Sequence, residues 1–171
     1  MKKVIPSFLT ILNLICGCFA IALAFQFQFE AVLILVCLGN LFDFLDGFAA
    51  RALNSVTKFG KHLDSITDVI TSGVVPGVVV FQLFKLSGNK VSDFEVLIFG
   101  YDLTFSLSPI SFIAFLITVG SAIRLSKFNT SIGNDEFIGL PTPANAIFFS
   151  ALPVLINSEL FIESKEIFLN N

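Results

Sequence analysis

Long apolar runs without any charged residue restrict most strongly how this chain can fold. No charged side chain occurs in residues 8–25 or in residues 31–42. A run of about 20 apolar residues is long enough to cross a bilayer as a helix, which satisfies its own backbone hydrogen bonds. Only 13% of the residues are charged, whereas soluble domains carry about 25%. The sequence therefore predicts an all-α integral membrane protein, built as a polytopic helix bundle.

Five segments are apolar enough to be predicted as membrane spans. In chain order they cover residues 8–25, 31–51, 62–84, 108–125 and 142–156. Pro76 in the third span and Pro153 in the fifth predict kinks in those helices. Residues 85–108 are mixed in polarity, so we expect an extramembrane loop there with one short interfacial helix. The tail of residues 157–171 is too short and too charged to span.

The first apolar run also has two features of a signal peptide. Lys2 and Lys3 precede it, and Ala-Leu-Ala at residues 22–24 resembles a cleavage site. The run is nevertheless long enough to span the bilayer, and further apolar segments follow it closely. We therefore predict an uncleaved first helix.

The positions of lysine and arginine predict the orientation of the bundle, because cytoplasmic loops are enriched in them. With a cytoplasmic N-terminus, seven basic residues fall on that side (Lys2, Lys3, Arg51, Lys58, Lys61, Arg124 and Lys127) and three on the other (Lys85, Lys90 and Lys165). The sequence therefore predicts that the N-terminus is cytoplasmic. The net charge of −3, without a basic stripe, indicates no nucleic-acid partner.

Four aspartates at the facing ends of the second and third spans give the strongest functional signal: Asp43, Asp46, Asp64 and Asp68. Helix positions three and four apart share a face, so the aspartates form two stripes that can meet across a hairpin. Converging carboxylates repel one another and resist ionising together. Divalent cations relieve this repulsion, and hard oxygen ligands suit Mg²⁺ or Mn²⁺. Because Mg²⁺ often binds carboxylates together with substrate phosphates, we expect a phosphate-bearing substrate.

Smaller residues on the same stripes allow two interpretations. Gly47, Ala50 and Gly60 either leave room for a substrate or permit close helix packing. Arg51 either binds a phosphate or marks the membrane boundary. In the first span, Asn13 and Thr10 either line the pocket or form hydrogen bonds to a neighbouring helix, which is more common.

The pattern Asp43-x2-Asp46-Gly47-x2-Ala50-Arg51-x8-Gly60-x3-Asp64-x3-Asp68 resembles, at every fixed position and spacing, the signature of the CDP-alcohol phosphotransferases. The resemblance implies a six-helix membrane protein that is usually a homodimer. Such enzymes exchange the CMP of a CDP-linked lipid for an alcohol, with divalent metals held by the four aspartates.

Three further segments resemble the bacterial phosphatidylserine synthases within that family. They are Ile5-Pro6-Ser7-x2-Thr10-x2-Asn13-Leu14-x-Cys16-Gly17, RLSKFN at residues 124–129 and FIGLPTPA at residues 137–144. The resemblance covers residues 4–156 and implies CDP-diacylglycerol and L-serine as substrates. It also implies an active site facing the cytoplasm in a bacterial-type cytoplasmic membrane. We expect one domain over residues 1–171, with the sixth helix of the family beyond it.

The resemblance also implies roles for the aspartates, and we add expectations for the other motif residues. Asp43, Asp46 and Asp64 are expected mainly to bind two metal ions, while Asp68 also takes the proton from the serine hydroxyl. The CDP-lipid is expected at Gly47, Ala50, Arg51, Gly60 and Asn13. The serine carboxylate or a lipid phosphate is expected at Arg124, Lys127 and Asn129, which could instead be positive-inside anchors.

Three alternatives stay open at this point. The same chemistry could use another acceptor, glycerol 3-phosphate or inositol phosphate, which calls for several cations near the pocket. An ion-coupled transporter is also possible, although it predicts acids near the bilayer midplane and often internal repeats. Membrane prenyltransferases also use aspartates with Mg²⁺, but usually in two separated motifs.

Overall fold

The computed structural model describes the backbone of residues 4–86, 92–98, 101–107, 109–130 and 141–157, and the side chains of residues 5–86, 111–127 and 141–157. The helices are α1 (Val4–Phe25), α2 (Phe29–Ala52), α3 (Lys58–Val69), α4 (Val75–Leu86), α5 (Phe115–Thr130) and α6 (Thr142–Asn157). A π-helical turn, Ile70–Val74, joins α3 to α4, and a 3₁₀ segment, Pro109–Ala114, precedes α5. The strands are β1 (Ser92–Ile98) and β2 (Tyr101–Leu107).

The chain is an integral membrane protein, as predicted. Three helices in the described residues are long and apolar enough to cross a bilayer: Ile5–Phe25 with 21 residues, Phe29–Ala52 with 24 and Lys58–Leu86 with 29. The last of these runs through α3, the π-turn and α4, and is called the third membrane helix below. Helices α5 and α6 have 16 residues each and occupy the predicted fourth and fifth spans. The predicted polytopic helix bundle is confirmed.

The interior of the bundle consists of small side chains, while large ones point outward. Phe8, Phe44 and Phe59 are 58%, 64% and 70% exposed. The buried hydrophobic cluster in the described residues is formed by Ala20, Ala24, Val32, Val36, Val75, Val78, Val79 and Ala146. Small residues let membrane helices approach closely, and lipid solvates the large side chains outside. This distribution is the opposite of a soluble core and fits a lipid environment.

The third membrane helix begins at Lys58, so the prediction of a start at His62 was wrong. Thr57 is its N-cap, and its Oγ1 accepts a hydrogen bond from the Gly60 N–H at 3.0 Å. A threonine at this position satisfies one of the backbone donors that the first turn leaves unpaired. The first turn of this helix is polar, so its sequence resembles that of a loop, and the predicted helix start was therefore too late.

A kink was predicted at Pro76 in this helix. The structure has a π-turn shortly before it, at Ile70–Val74. Proline has no N–H to donate to the carbonyl of Ser72 four residues earlier, and its ring crowds that carbonyl. Two hydroxyls of α5 donate to carbonyls of this turn. Ser121 Oγ donates to Ser72 O at 3.4 Å, and Thr118 Oγ1 donates to Gly73 O at 2.9 Å. Side-chain donors of a neighbouring helix thus stabilise the π-turn.

Between the third membrane helix and α5 the structure contains a β-hairpin, so the expected interfacial helix was wrong. Strands β1 and β2 pair antiparallel, with Ile98 opposite Tyr101. Both strands are rich in aromatic and β-branched residues, including Phe94, Val96 and Thr104. Such residues favour strands.

The other helix boundaries differ from prediction mainly at polar ends. Helix α1 begins at Val4, four residues before the predicted first span. Helix α5 continues past Leu125 to Thr130, because a helix can extend beyond the hydrocarbon region where its side chains become polar. Residues 131–140, between the predicted fourth and fifth spans, lie outside the described residues.

Candidate active site

Three of the four predicted aspartates meet between α2 and α3, some turns away from the connection that joins these helices. Asp43 extends from α2, while Asp64 and Asp68 extend from successive turns of α3. One carboxylate oxygen of each lies within 4.8 Å of the others, and all three side chains are half-buried. We call this group the aspartate triplet. It confirms that the stripes of the second and third spans face each other.

A tight connection between α2 and α3 produces this meeting. The backbone turns at Asn54, which has a positive φ of 48°, a conformation that asparagine tolerates better than most residues. The Ser55 N–H then donates to Ala50 O at 3.0 Å, and Thr57 starts α3. The last turn of α2 is thereby held beside the first turns of α3.

The residues of the triplet fit a divalent cation. Asp64 Oδ1 is buried and has no hydrogen-bond partner among the described residues. A buried polar atom without a partner is costly and calls for a ligand, a water or an ion. The donor set of carboxylate oxygens is the type that hard divalent cations prefer.

Asp46 is not part of the triplet, although it lies one turn beyond Asp43. Its side chain is 5% exposed and is directed at α1, where Thr10 Oγ1 donates to Asp46 Oδ2 at 2.5 Å. Thr10 thus forms a hydrogen bond to a neighbouring helix, and it also lines the cavity described next, so both interpretations of this residue hold.

A cavity of about 460 Å³ connects Asp46 with Asp64. Its wall includes all the small and basic motif residues predicted beside the aspartates: Gly47, Ala50, Arg51 and Gly60. A Cβ at Gly47 would meet only Arg51 of the described residues within 4 Å, so Gly47 borders open space and is not at a helix contact. Arg51 donates from Nε to Gly47 O at 3.0 Å, which places the guanidinium at the cavity wall.

Asn13 does not line this cavity. It is 1% exposed and lies between α1, α2 and the π-turn, where Thr71 Oγ1 donates to Asn13 O at 3.4 Å. A Cβ at Gly39 would come within 2.8 Å of Asn13 Oδ1. The structure therefore places Asn13 in helix packing, away from the predicted lipid site.

A second cavity of about 400 Å³ lies between α5 and α6. Arg124 lines it together with Ser121, Thr142 and Asn145. Lys127 is exposed in the last turn of α5. Asn129 belongs to the same turn, but its side chain is outside the described part of the chain. The structure thus places only Arg124 of these three predicted residues in a cavity.

Helix α5 runs antiparallel to the third membrane helix, which determines the depth of Arg124. Two close approaches and one shared cavity define the register: Gly77 lies beside Ala114, Gly73 beside Thr118, and Ser65 lines the same cavity as Ser126. Continuing this register places Arg124 at the depth of Asp68. The end of the second cavity that Arg124 lines is therefore at the depth of the triplet.

Sequence reasoning missed several polar residues that line the two cavities, namely Ser55, Thr57, Thr142 and Asn145. A signal existed for two of them. Thr57 precedes Gly60 at the spacing of a helix cap, and Asn145 is a polar residue within an otherwise apolar span.

Comparison with known proteins agrees with the motif. A family model described as CDP-alcohol phosphatidyltransferase matches residues 3–169. A CDP-diacylglycerol–serine O-phosphatidyltransferase of Methanocaldococcus jannaschii is 34% identical over 156 residues, which is 91% of this chain and 63% of that protein. The protein of the same name from Bacillus subtilis is 32% identical over 144 residues, or 81% of this chain and 69% of that protein.

An archaetidylserine synthase of Methanothermobacter thermautotrophicus is 31% identical over 150 residues, which is 86% of this chain and 56% of that protein. The chain thus spans between 56% and 69% of the length of these three relatives. The family model covers almost the whole chain, including all four aspartates and both cavities. The chain therefore belongs to the CDP-alcohol phosphatidyltransferase family.

Proposed function

We propose that this chain transfers the phosphatidyl group of CDP-diacylglycerol to the hydroxyl of L-serine, forming phosphatidylserine and releasing CMP. One observation carries the proposal: in a chain of this family, the aspartate triplet adjoins a cavity of about 460 Å³. Pyrophosphate chemistry needs concentrated positive charge, and carboxylates at this separation can supply it only by binding cations.

We assign Asp43, Asp46, Asp64 and Asp68 as the residues that hold two Mg²⁺ or Mn²⁺ ions. The buried, unpartnered Oδ1 of Asp64 supports this assignment. When bound, such ions would neutralise the pyrophosphate and the charge that develops on the leaving group.

The first cavity is assigned to the CDP part of the lipid. Gly47, Ala50 and Gly60 leave space along its wall, and Arg51 can donate to a phosphate oxygen. The acyl chains would extend into the bilayer beside the exposed Phe44 and Phe48 on α2.

Asp68 is assigned as the general base. It accepts the proton of the serine hydroxyl, whose oxygen attacks the phosphorus bonded to diacylglycerol. The bond from that phosphorus to the phosphate oxygen of CMP breaks, and CMP leaves with the electron pair. Asp68 is half-buried within the triplet, so it is partly shielded from bulk water.

Serine is favoured as the acceptor by two observations. The names of the three relatives all contain serine, while the lipid part differs. In this chain, Arg124 lies at the depth of Asp68 and lines the second cavity together with Thr142 and Asn145. A guanidinium beside hydroxyl and amide groups is suited to a carboxylate. Lys127 and Asn129 are assigned to the entrance of this site.

The remaining expectations are part of the same proposal. Residues 1–171 act as one domain in a bacterial-type cytoplasmic membrane, with the N-terminus and the aspartates on the cytoplasmic side. The excess of Lys and Arg at that end supports this orientation. We also propose a homodimer, which the resemblance to the family implies.

An acceptor screen tests the proposal. The purified chain is supplied with CDP-diacylglycerol and Mn²⁺ or Mg²⁺, and CMP release is measured with serine, glycerol 3-phosphate or inositol phosphate. We expect release with serine and none after chelation of the metal. Release with glycerol 3-phosphate but not with serine would identify glycerol 3-phosphate as the acceptor. No release with any of the three compounds would refute the proposed transferase activity.

A further inference from the structure

A hydrogen bond between α1 and α2 lies at the wall of the first cavity. Thr10 Oγ1 is 2.5 Å from Asp46 Oδ2, and the two residues are 3% and 5% exposed, so water hardly reaches the contact. Both residues line the cavity that also contains Asp64. We propose that Thr10 is a positioning residue that holds the Asp46 carboxylate in the orientation needed to bind a divalent cation.

The Thr10 hydroxyl has two acceptors within reach but only one proton. The carbonyl oxygen of Pro6, one turn earlier on α1, is 3.0 Å from Thr10 Oγ1, and threonine in a helix often donates to such a carbonyl. The contact with Asp46 is shorter, and a hydrogen bond to a carboxylate is about twice as strong as one between neutral groups. The proton is therefore donated to Asp46.

This bond gives the two oxygens of Asp46 different tasks. Oδ2 accepts from Thr10, whereas Oδ1 takes no part in this bond and can bind a cation through its lone pairs. The branched side chain of Thr10 has few rotamers, so the carboxylate is oriented before a cation arrives. Residues that form hydrogen bonds to metal ligands orient those ligands, and their loss weakens metal binding markedly.

Asp46 needs such a partner because its position differs from that of the triplet. Asp43, Asp64 and Asp68 approach one another closely and would share a cation directly. Asp46 is more buried and is directed toward another helix. The inference rests on the proposed function, because it requires a cation at this site.

The test is a Mn²⁺ titration of the purified chain in detergent, with free Mn²⁺ measured by electron paramagnetic resonance and no substrate present. Thr10→Val removes the hydroxyl and keeps the shape of the side chain. We expect it to weaken Mn²⁺ binding by about ten- to hundredfold, the usual effect of losing an outer partner of a ligand. Thr10→Ser keeps the donor and should restore the affinity.

Thr118→Val is the matched control. It removes a hydroxyl that donates to Gly73 O at 2.9 Å, so it changes helix packing without touching an aspartate. Mn²⁺ affinity should stay at the wild-type value even if the thermal stability falls. Thr10→Ala provides a second variant with the same expectation as Thr10→Val, should the valine variant fail to fold.

The outcomes separate this inference from the proposed function. Unchanged Mn²⁺ affinity in Thr10→Val or Thr10→Ala would overturn the inference and leave the function standing. A loss that Thr10→Ser does not restore would also overturn it, because the cause would then be packing. Absence of Mn²⁺ binding by the wild-type chain would overturn both the metal site and the role of Thr10.

Discussion

The carboxylates of Asp43, Asp64 and Asp68 are close enough that their charges dominate the energetics of the site. Two unit charges separated by the 4.8 Å limit of this group repel by about 3 kcal/mol at an effective dielectric constant of about 20. The summed repulsion of three such pairs is comparable to the net free energy of unfolding of a domain, which is about 5–15 kcal/mol. The fully ionised triplet therefore requires a compensating positive charge.

Asp68→Asn tests the base at the residue scale. An amide cannot take the serine proton, so CMP release with CDP-diacylglycerol and serine should fall by about 10²- to 10⁴-fold or more. Glu30→Gln makes the same chemical change in the first turn of α2, at the opposite end of that helix, and should leave the rate unchanged. Near-normal turnover by Asp68→Asn would exclude Asp68 as the base.

Arg124→Gln tests the acceptor cavity. Loss of a charged hydrogen bond to the serine carboxylate should raise the KM for serine by about tenfold or more, with little change in the KM for CDP-diacylglycerol. Lys127→Ala should act in the same direction but less, because Lys127 is exposed and does not line the cavity. Steady-state kinetics with each substrate varied would measure this, and an equal rise in both KM values would contradict a serine contact.

At the scale of helices, glycines determine how closely the segments that carry the site approach. Gly39 on α2 faces Asn13 of α1 and Thr71 of the π-turn. These contacts keep α2 against both neighbours, and the Thr10–Asp46 bond forms between the same two helices, α1 and α2. Close packing of small residues thus supports the polar contacts of the site.

Gly39→Ala tests this packing. The added Cβ would lie 2.8 Å from Asn13 Oδ1 and 2.9 Å from Thr71 Cγ2, and overpacking of this kind costs about 1–3 kcal/mol. We expect a lower midpoint of thermal unfolding in detergent. Gly120→Ala is the control, since its Cβ would meet no described atom within 4 Å and alanine favours a helix. Equal midpoints for Gly39→Ala and wild type would contradict the close approach.

At the scale of the whole molecule, the ends of the bundle differ in chemistry. The end with the triplet carries Arg51, Lys58 and Lys61 within or beside the α2–α3 connection. The opposite end carries the α1–α2 turn, with Gln26, Gln28 and Glu30. Basic residues are retained on the cytoplasmic side of membranes, which is the basis of the proposed orientation.

Labelling with a membrane-impermeant maleimide tests the orientation. The background variant has alanine in place of the three cysteines, Cys16, Cys18 and Cys37. In intact cells, Gln28→Cys should be labelled and Lys58→Cys should not. Both positions are exposed, but Gln28 precedes α2 and Lys58 follows it, so they lie at opposite ends of the bundle. Both should react after the membrane is permeabilised. The reverse pattern in intact cells would invert the proposed topology.

Much of the fold and part of the site were predictable from the sequence, because they depend on local patterns. Apolar runs predicted the membrane helices, and the spacing of Asp64 and Asp68 placed both on one face of α3. The short polar connection after α2 predicted that Asp43 would meet them. The hairpin of β1 and β2 was missed even though its composition indicated strands.

The amino-acid sequence by itself determined the lipid environment, the family motif and the convergence of the triplet, since hydrophobicity and helical periodicity act over neighbouring residues. Only the tertiary structure decided that Asp46 is bound by Thr10, that Arg124 lies in a cavity with Asn145, and that Asn13 is packed against Gly39. These contacts depend on the rotation and depth of separate helices. Such quantities are determined by the packing of small side chains across the bundle, which no local pattern specifies.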